Sequence, residues 1–118
     1  MYNYSVSKIT LSVIIPFKNE TPNLPNLHSE LCDSLSQLGS RAEIIYVDDG
    51  STDGSSKVLT EAVMSHPGQI HVKLMTFWRN FGQTAALSAG IDASQGEFLG
   101  FLDADGQPPP SDLVTLLH

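Results

Sequence analysis

Glu97-Phe98-Leu99-Gly100-Phe101-Leu102-Asp103-Ala104-Asp105-Gly106-Gln107 is the stretch that decides how this chain folds. Residues 98–102 form an apolar run that predicts a buried strand, and its carboxyl end delivers two carboxylates and an amide to one spot. In an open parallel sheet, ligands bind in the crevice beyond the carboxyl ends of the strands. Two carboxylates gathered there repel each other and are costly to desolvate unless a cation or donor groups compensate them. Hard oxygen ligands of this kind suit Mg²⁺ or Mn²⁺, which keep several waters and share substrate phosphates. A metal-bound diphosphate is the ligand that this segment predicts.

The apolar blocks upstream alternate in character. Residues 10–15 are β-branched and compact, and Pro16 ends them, so they predict a first strand. Leu24, Leu27, Leu31, Leu35 and Leu38 recur at spacings of three and four, one face of a helix that Gly39 closes. Pro25 is tolerable in a first turn, which starts that helix near Asn23 or Leu24. Residues 42–47 predict a second strand. Val58, Leu59, Ala62 and Val63 mark a second helix that stops before Pro67-Gly68. Residues 70–76 predict a third strand, and residues 83–94 a helix whose small side chains allow close approach to a sheet. Ser111-Asp112 can cap one last helix. Strands and helices alternating in this way predict an α/β fold of three α/β/α layers, with a mostly parallel sheet and right-handed crossovers.

Composition narrows the class. With 118 residues the chain is one domain or part of one. At 41% hydrophobic and 16% charged it is globular, not disordered. Thirteen acidic residues against six basic ones give a net charge of −7, which disfavours a nucleic-acid surface, since that would need a basic patch. A nucleotide ligand is still compatible, because a bound cation inverts the local field. Cys32 is the single cysteine and cannot form an internal disulfide, so a reducing compartment is expected, with Cys32 as a buried thiol on its helix. The four histidines lack metal-ligand spacing and are assigned no role. The amino terminus does not read as a signal peptide, and no apolar run approaches the ~18 residues that span a bilayer, so the expectation is a soluble, cytoplasmic chain. A four-strand sheet leaves an edge to cover, and the last helix stops after about two turns. Residues 1–118 are therefore expected to be the N-terminal part of a longer domain.

Chemistry-bearing residues fall in three clusters, each where a predicted strand ends: residues 16–20, 48–53 and 103–107. Taken alone, Asp48-Asp49-Gly50-Ser51 reads as a turn followed by a helix cap. Three such clusters at equivalent positions along one sheet edge favour a site instead.

Leu11-Ser12-Val13-Ile14-Ile15-Pro16-Phe17-Lys18-Asn19-Glu20, the Asp48–Asp53 cluster after Ile45-Tyr46-Val47, and Phe101-Leu102-Asp103-Ala104-Asp105-Gly106-Gln107 with three following prolines closely resemble family 2 inverting glycosyltransferases. Arg79-Asn80-Phe81-Gly82-Gln83-Thr84-Ala85-Ala86 resembles the branch that loads sugars onto polyprenyl phosphates, such as dolichol-phosphate mannose synthases. The resemblance runs over residues 11–117 and implies a Rossmann-like GT-A nucleotide-sugar-binding half. It implies that Pro16, Phe17 and Glu20 pack against and hydrogen-bond the nucleoside, and that Asp48 reads the nucleobase edge. Asp103 would lie near the ribose, with Ala104 in the same binding motif, and Arg79 would help neutralise diphosphate. Asp105 would ligate Mg²⁺ or Mn²⁺ with Gln107 as its amide partner, although Gly106 replaces a bulky apolar residue common in that branch.

The implied reaction is inverting transfer of a sugar from a nucleotide-diphosphate-sugar donor to a polyprenyl phosphate, by a full-length protein associated with the cytoplasmic face of a membrane. Because acceptor-binding segments of the family lie beyond this chain, no catalytic base is named. Two alternatives stay open: a polysaccharide or cell-wall glycosyltransferase with a hydroxyl acceptor, and a catalytically inactive nucleotide-sugar-binding fragment. A receiver-like phosphoacceptor domain lacks its late strand-end lysine here, and a dinucleotide-binding domain lacks Gly-x-Gly-x-x-Gly after the first strand.

Overall fold

Four parallel strands form the centre of the computed structural model, which describes residues 8–105 and Pro110. They are β1 (Leu11–Phe17), β2 (Ala42–Asp48), β3 (His71–Thr76) and β4 (Phe98–Phe101), in the spatial order β3-β2-β1-β4. Helices α1 (Leu24–Ser34), α2 (Ser55–Met64) and α3 (Gln83–Ala93) connect them. The predicted α/β architecture with a parallel sheet is thus observed. The predicted last helix, with Ser111-Asp112, lies outside the described residues, as do Gly106 and Gln107.

Alternation along the strands sorts side chains between two layers. Val13, Ile15, Ile44 and Tyr46 pack with the leucines of α1 and with Leu59 of α2, while Ile14, Ile45 and Val47 pack with Ala86 of α3. The helix α3 approaches closely because its residues are small. A Cβ on Gly90 would stand 2.5 Å from Cγ2 of Ile14. This is the packing reading of the small-residue helix, and the structure bears it out.

Three sequence expectations shift. Pro16 lies inside β1 and does not end it, paired in register with Val47. Thr10 and Ile14 turn their carbonyls toward β4, so Pro16, two residues on, faces the same side. The β1–β4 ladder has stopped there at Ile14–Phe101, and the missing N–H leaves no gap in the pairing. Next, α1 ends at Ser34, not at Leu38, since Ser36 donates its hydroxyl to the Asp33 carbonyl and diverts the chain into a turn. Leu35 stays buried nonetheless, and Gly39 takes the left-handed φ of 51° where the chain reverses. Finally, the strand predicted as buried is not. β4 pairs with β1 on one side, and Phe98, Leu99 and Phe101 are exposed, with Gly100 buried.

At the amino edge a buried carboxylate ties three segments together. Glu43 of β2 accepts the Ser12 hydroxyl at 2.5 Å and the Gln95 N–H at 2.7 Å, and pairs with Lys73 of β3 at 3.0 Å. Burial by itself pushes this carboxyl up, but the hydroxyl, the N–H and the ammonium outweigh it and hold it below the usual carboxylate range.

Candidate functional site

Sheet order places the site. From β1 the chain moves outward through β2 to β3, then returns to add β4 on the other side of β1. The topological switch point therefore falls between the carboxyl ends of β1 and β4. A crevice of about 360 Å³ opens there. Pro16, Phe17 and Glu20 line it from the β1 end, and Asp103, Ala104 and Asp105 from the β4 end. Lys18, Asp49 and Gln83 complete the wall.

Local hydrogen bonds fix each part. Asn19 adopts a left-handed φ of 56°, donates its N–H to Ser51 Oγ and accepts the Thr52 N–H on its side-chain oxygen. The Glu20 N–H is bound by Ser55 Oγ at 3.0 Å, and Glu20 Oε2 accepts the Asn23 side-chain amide. The loop after β1 is thereby laced to the turn before α2. In that turn the Ser55 hydroxyl and N–H both donate to Asp53 Oδ1, and the hydroxyl bond holds the Asp53 carboxyl below its ordinary value.

Asp48 and Asp49 part company at the end of β2. Asp48 is buried, and its Oδ1 accepts the Ser51 N–H at 2.8 Å, which is the turn that the bland reading of this segment described. It does not line the crevice. Asp49 does, while accepting N–H groups from Phe81 at 2.7 Å and Gly82 at 3.1 Å. Gly50 lets these two loops meet: its φ is 79°, and a Cβ there would stand 2.4 Å from the Arg79 carbonyl carbon. Sequence reasoning passed over Asp49, which looks like Asp48 until the faces of the sheet are assigned. Ile45 and Val47 face α3, so a period of two carries Asp49, not Asp48, to that layer.

Arg79 also lies off the crevice wall, its guanidinium stacked 4.1 Å from the Phe81 ring centroid and 5.0 Å from that of Trp78. Of the metal ligands expected, Asp105 is at the crevice and Gln107 lies outside the described residues. Among the described residues no group of three His, Cys, Asp or Glu side chains is arranged to cage a metal ion. The donor set still fits Mg²⁺ or Mn²⁺, because these ions are held by one or two carboxylates and complete their shells with water and substrate phosphate.

A larger cavity of about 470 Å³ lies at the opposite edge, between the carboxyl ends of α1 and α2. Its His28 is buried and committed to the Tyr46 hydroxyl at 2.7 Å, and its Cys32 is half-buried, 3.5 Å from His28 Nε2. Burial, and to a lesser degree the charge of His66, push the His28 pKa down to about 4, while burial and Asp33 push the Cys32 thiol up. A neutral histidine beside a protonated thiol is packing chemistry, so the smaller, acid-lined crevice is the candidate site.

Comparison with known proteins points the same way. The family model described as glycosyl transferase family 2 matches residues 12–118. The chain is 40% identical over 107 residues to an undecaprenyl-phosphate 4-deoxy-4-formamido-L-arabinose transferase of Proteus mirabilis, covering 91% of this chain and 32% of that protein. It is 43% identical over 109 residues to an uncharacterized glycosyltransferase of Synechocystis, covering 92% of this chain and 33% of that one. It therefore spans about a third of the length of these curated relatives. Among solved structures, a mannosyltransferase of Pyrobaculum calidifontis in complex with GDP-Man and Mn²⁺ superposes with a TM-score of 0.78 at 23% identity, over 94% of this chain and 33% of that one. That likeness shows a shared fold.

Proposed function

The chain belongs to glycosyl transferase family 2, and from that premise we propose that its crevice holds a nucleotide-diphosphate-sugar donor for transfer to a polyprenyl phosphate. The observation that carries this reading is the meeting of Glu20, Asp49, Asp103 and Asp105 at the sheet's switch point. The acceptor rests on the names of those relatives that are undecaprenyl-phosphate 4-deoxy-4-formamido-L-arabinose transferases, and the donor is supported by the GDP-Man of the mannosyltransferase that shares the fold.

Seven of the nine wall residues have a task under this reading. Phe17 and Pro16 give the nucleoside an apolar floor, and Glu20 and Asp49 offer acceptor oxygens to its ring N–H and hydroxyl groups. Asp103 accepts from the ribose. Lys18, exposed on the rim, places a cation near the phosphates. Asp105, with Gln107, would hold Mg²⁺ or Mn²⁺, which supplies Lewis-acid stabilisation of charge on the departing diphosphate. A phosphate acceptor is already anionic, so the protein needs to position it and not to deprotonate it. In-line displacement from the open side of the crevice inverts the anomeric centre.

The test is a panel of nucleotide-diphosphate sugars screened by thermal shift with and without Mn²⁺, followed by calorimetry on Asp105→Ala. We expect one donor to stabilise the chain in a Mn²⁺-dependent way and the substitution to abolish that dependence. Unchanged metal-dependent affinity in Asp105→Ala would remove Asp105 from the role.

A further inference from the structure

The loop between β3 and α3 carries an aromatic cluster that lies off the crevice wall. Trp78 is 81% exposed, more than any other large apolar side chain described, and Phe81 is 43% exposed. The two rings meet edge to face at 5.5 Å, and Phe77 meets Phe81 at 5.6 Å. Below them, Phe77 packs into the layer of Ile14, Ile45, Val47 and Ala86, and Asp49 pins the Phe81 N–H. The cluster is thus anchored to the sheet at its base and open to solvent at its tip, with the Arg79 guanidinium spread over two of its rings.

We propose that Trp78, Arg79 and Phe81 form a membrane-docking tip that seats the crevice against the headgroup layer of a bilayer, an inference that rests on the reading of the acceptor as a lipid phosphate. Amphipathic rings such as indole settle at the membrane–water interface, where one part is apolar and another wet. Guanidinium is weakly hydrated and pairs with phosphate oxygens, so it suits the same depth. Asp49 touches both this loop and the crevice, and Gln83, two residues beyond Phe81, lines the crevice wall. Docking there brings the donor to the level at which a lipid phosphate is presented. A net charge of −7 opposes adsorption of the whole surface onto an anionic bilayer, so attachment is local and led by ring insertion. Among the described residues no helix is long and apolar enough to cross a membrane, and this tip engages the interface without crossing it.

Trp78 is the chain's single tryptophan, so its emission reports on this tip and nothing else. The chain is titrated, without nucleotide, with vesicles of phosphatidylcholine and of phosphatidylcholine mixed with phosphatidylglycerol, and binding is read in parallel by co-sedimentation. The expected result is a blue shift of emission with both vesicles. Trp78→Ala, read by sedimentation, should lower partitioning about tenfold, and Phe81→Ala should reduce the blue shift. No shift and no sedimentation with either vesicle overturns the proposal. So does a blue shift that grows with protein concentration in the absence of lipid, which marks self-association. Quenching by UDP or GDP with no vesicle effect also overturns it and assigns the cluster to the donor. The donor reading is tested by lipid-free thermal shift, so failure of either reading is visible without the other.

Discussion

Glu43 at the amino edge of the sheet and Asp103 at the carboxyl edge are both strand-associated carboxylates of one sheet, and they are surrounded in opposite ways. Glu43 is buried and saturated: a hydroxyl, a backbone N–H and an ammonium converge on it. Asp103 is exposed at the mouth of a crevice that it shares with Asp105 of its own segment and with Glu20 and Asp49 from two others. A carboxylate whose lone pairs are already taken holds segments together. One that faces an open crevice keeps its lone pairs for a ligand. Asp49 stands between the two cases, binding two N–H groups while lining the crevice.

The largest effect should come from the saturated group. Glu43→Ala leaves Lys73, the Ser12 hydroxyl and the Gln95 N–H without their common acceptor. The carboxylate is enclosed while the Lys73 side chain is 37% exposed, so the loss should be about 3 kcal/mol, the low end of the range for breaking a buried pair. Urea denaturation measures it. A loss under about 1 kcal/mol would break the comparison, since saturation would then carry no stability.

His28 extends the contrast to pH. Its pKa is lowered to about 4 from an ordinary 6.5, so the folded form resists a proton that the unfolded chain accepts. Stability is complete above about pH 6.5 and falls as the pH drops toward 4, by about 2 to 3 kcal/mol over that window. Denaturation midpoints for the parent and His28→Gln at several pH values check this. The variant should lose the slope between those limits, and a parallel slope in both would sever His28 from the effect.

How much of this was legible beforehand follows from which signals are local. The alternation of strands and helices, the leucine spacing of α1 and the small residues of α3 are written in periodicity, and they fixed the layers. The three strand-end clusters located the crevice because a parallel sheet must gather such ends along one edge. What escaped depended on neighbours distant in sequence. Whether Pro16 ends a strand depends on where β4 stops, 85 residues away at Phe101. Asp48 and Asp49 look alike in the chain, and the packing of Ile45 and Val47 against α3 tells them apart. Glu43 is a lone acid in an apolar strand, and Ser12, Lys73 and Gln95 become its partners through the fold.

The smallest stability effect should be at Asp103, and that smallness is what gives the comparison its force. Asp103→Asn preserves size and removes the charge from a solvent-exposed position, so folding stability should stay within about 0.5 kcal/mol of the parent. An amide keeps one acceptor oxygen but adds a donor that cannot serve a ribose hydroxyl as a carboxylate does, so donor affinity should fall by about tenfold or more. Denaturation and calorimetry on the same preparation read both quantities. A drop in stability above about 1 kcal/mol with affinity intact would make Asp103 a second Glu43, a structural acid placed at the other edge, and the distinction between saturated and open carboxylates would no longer identify the site.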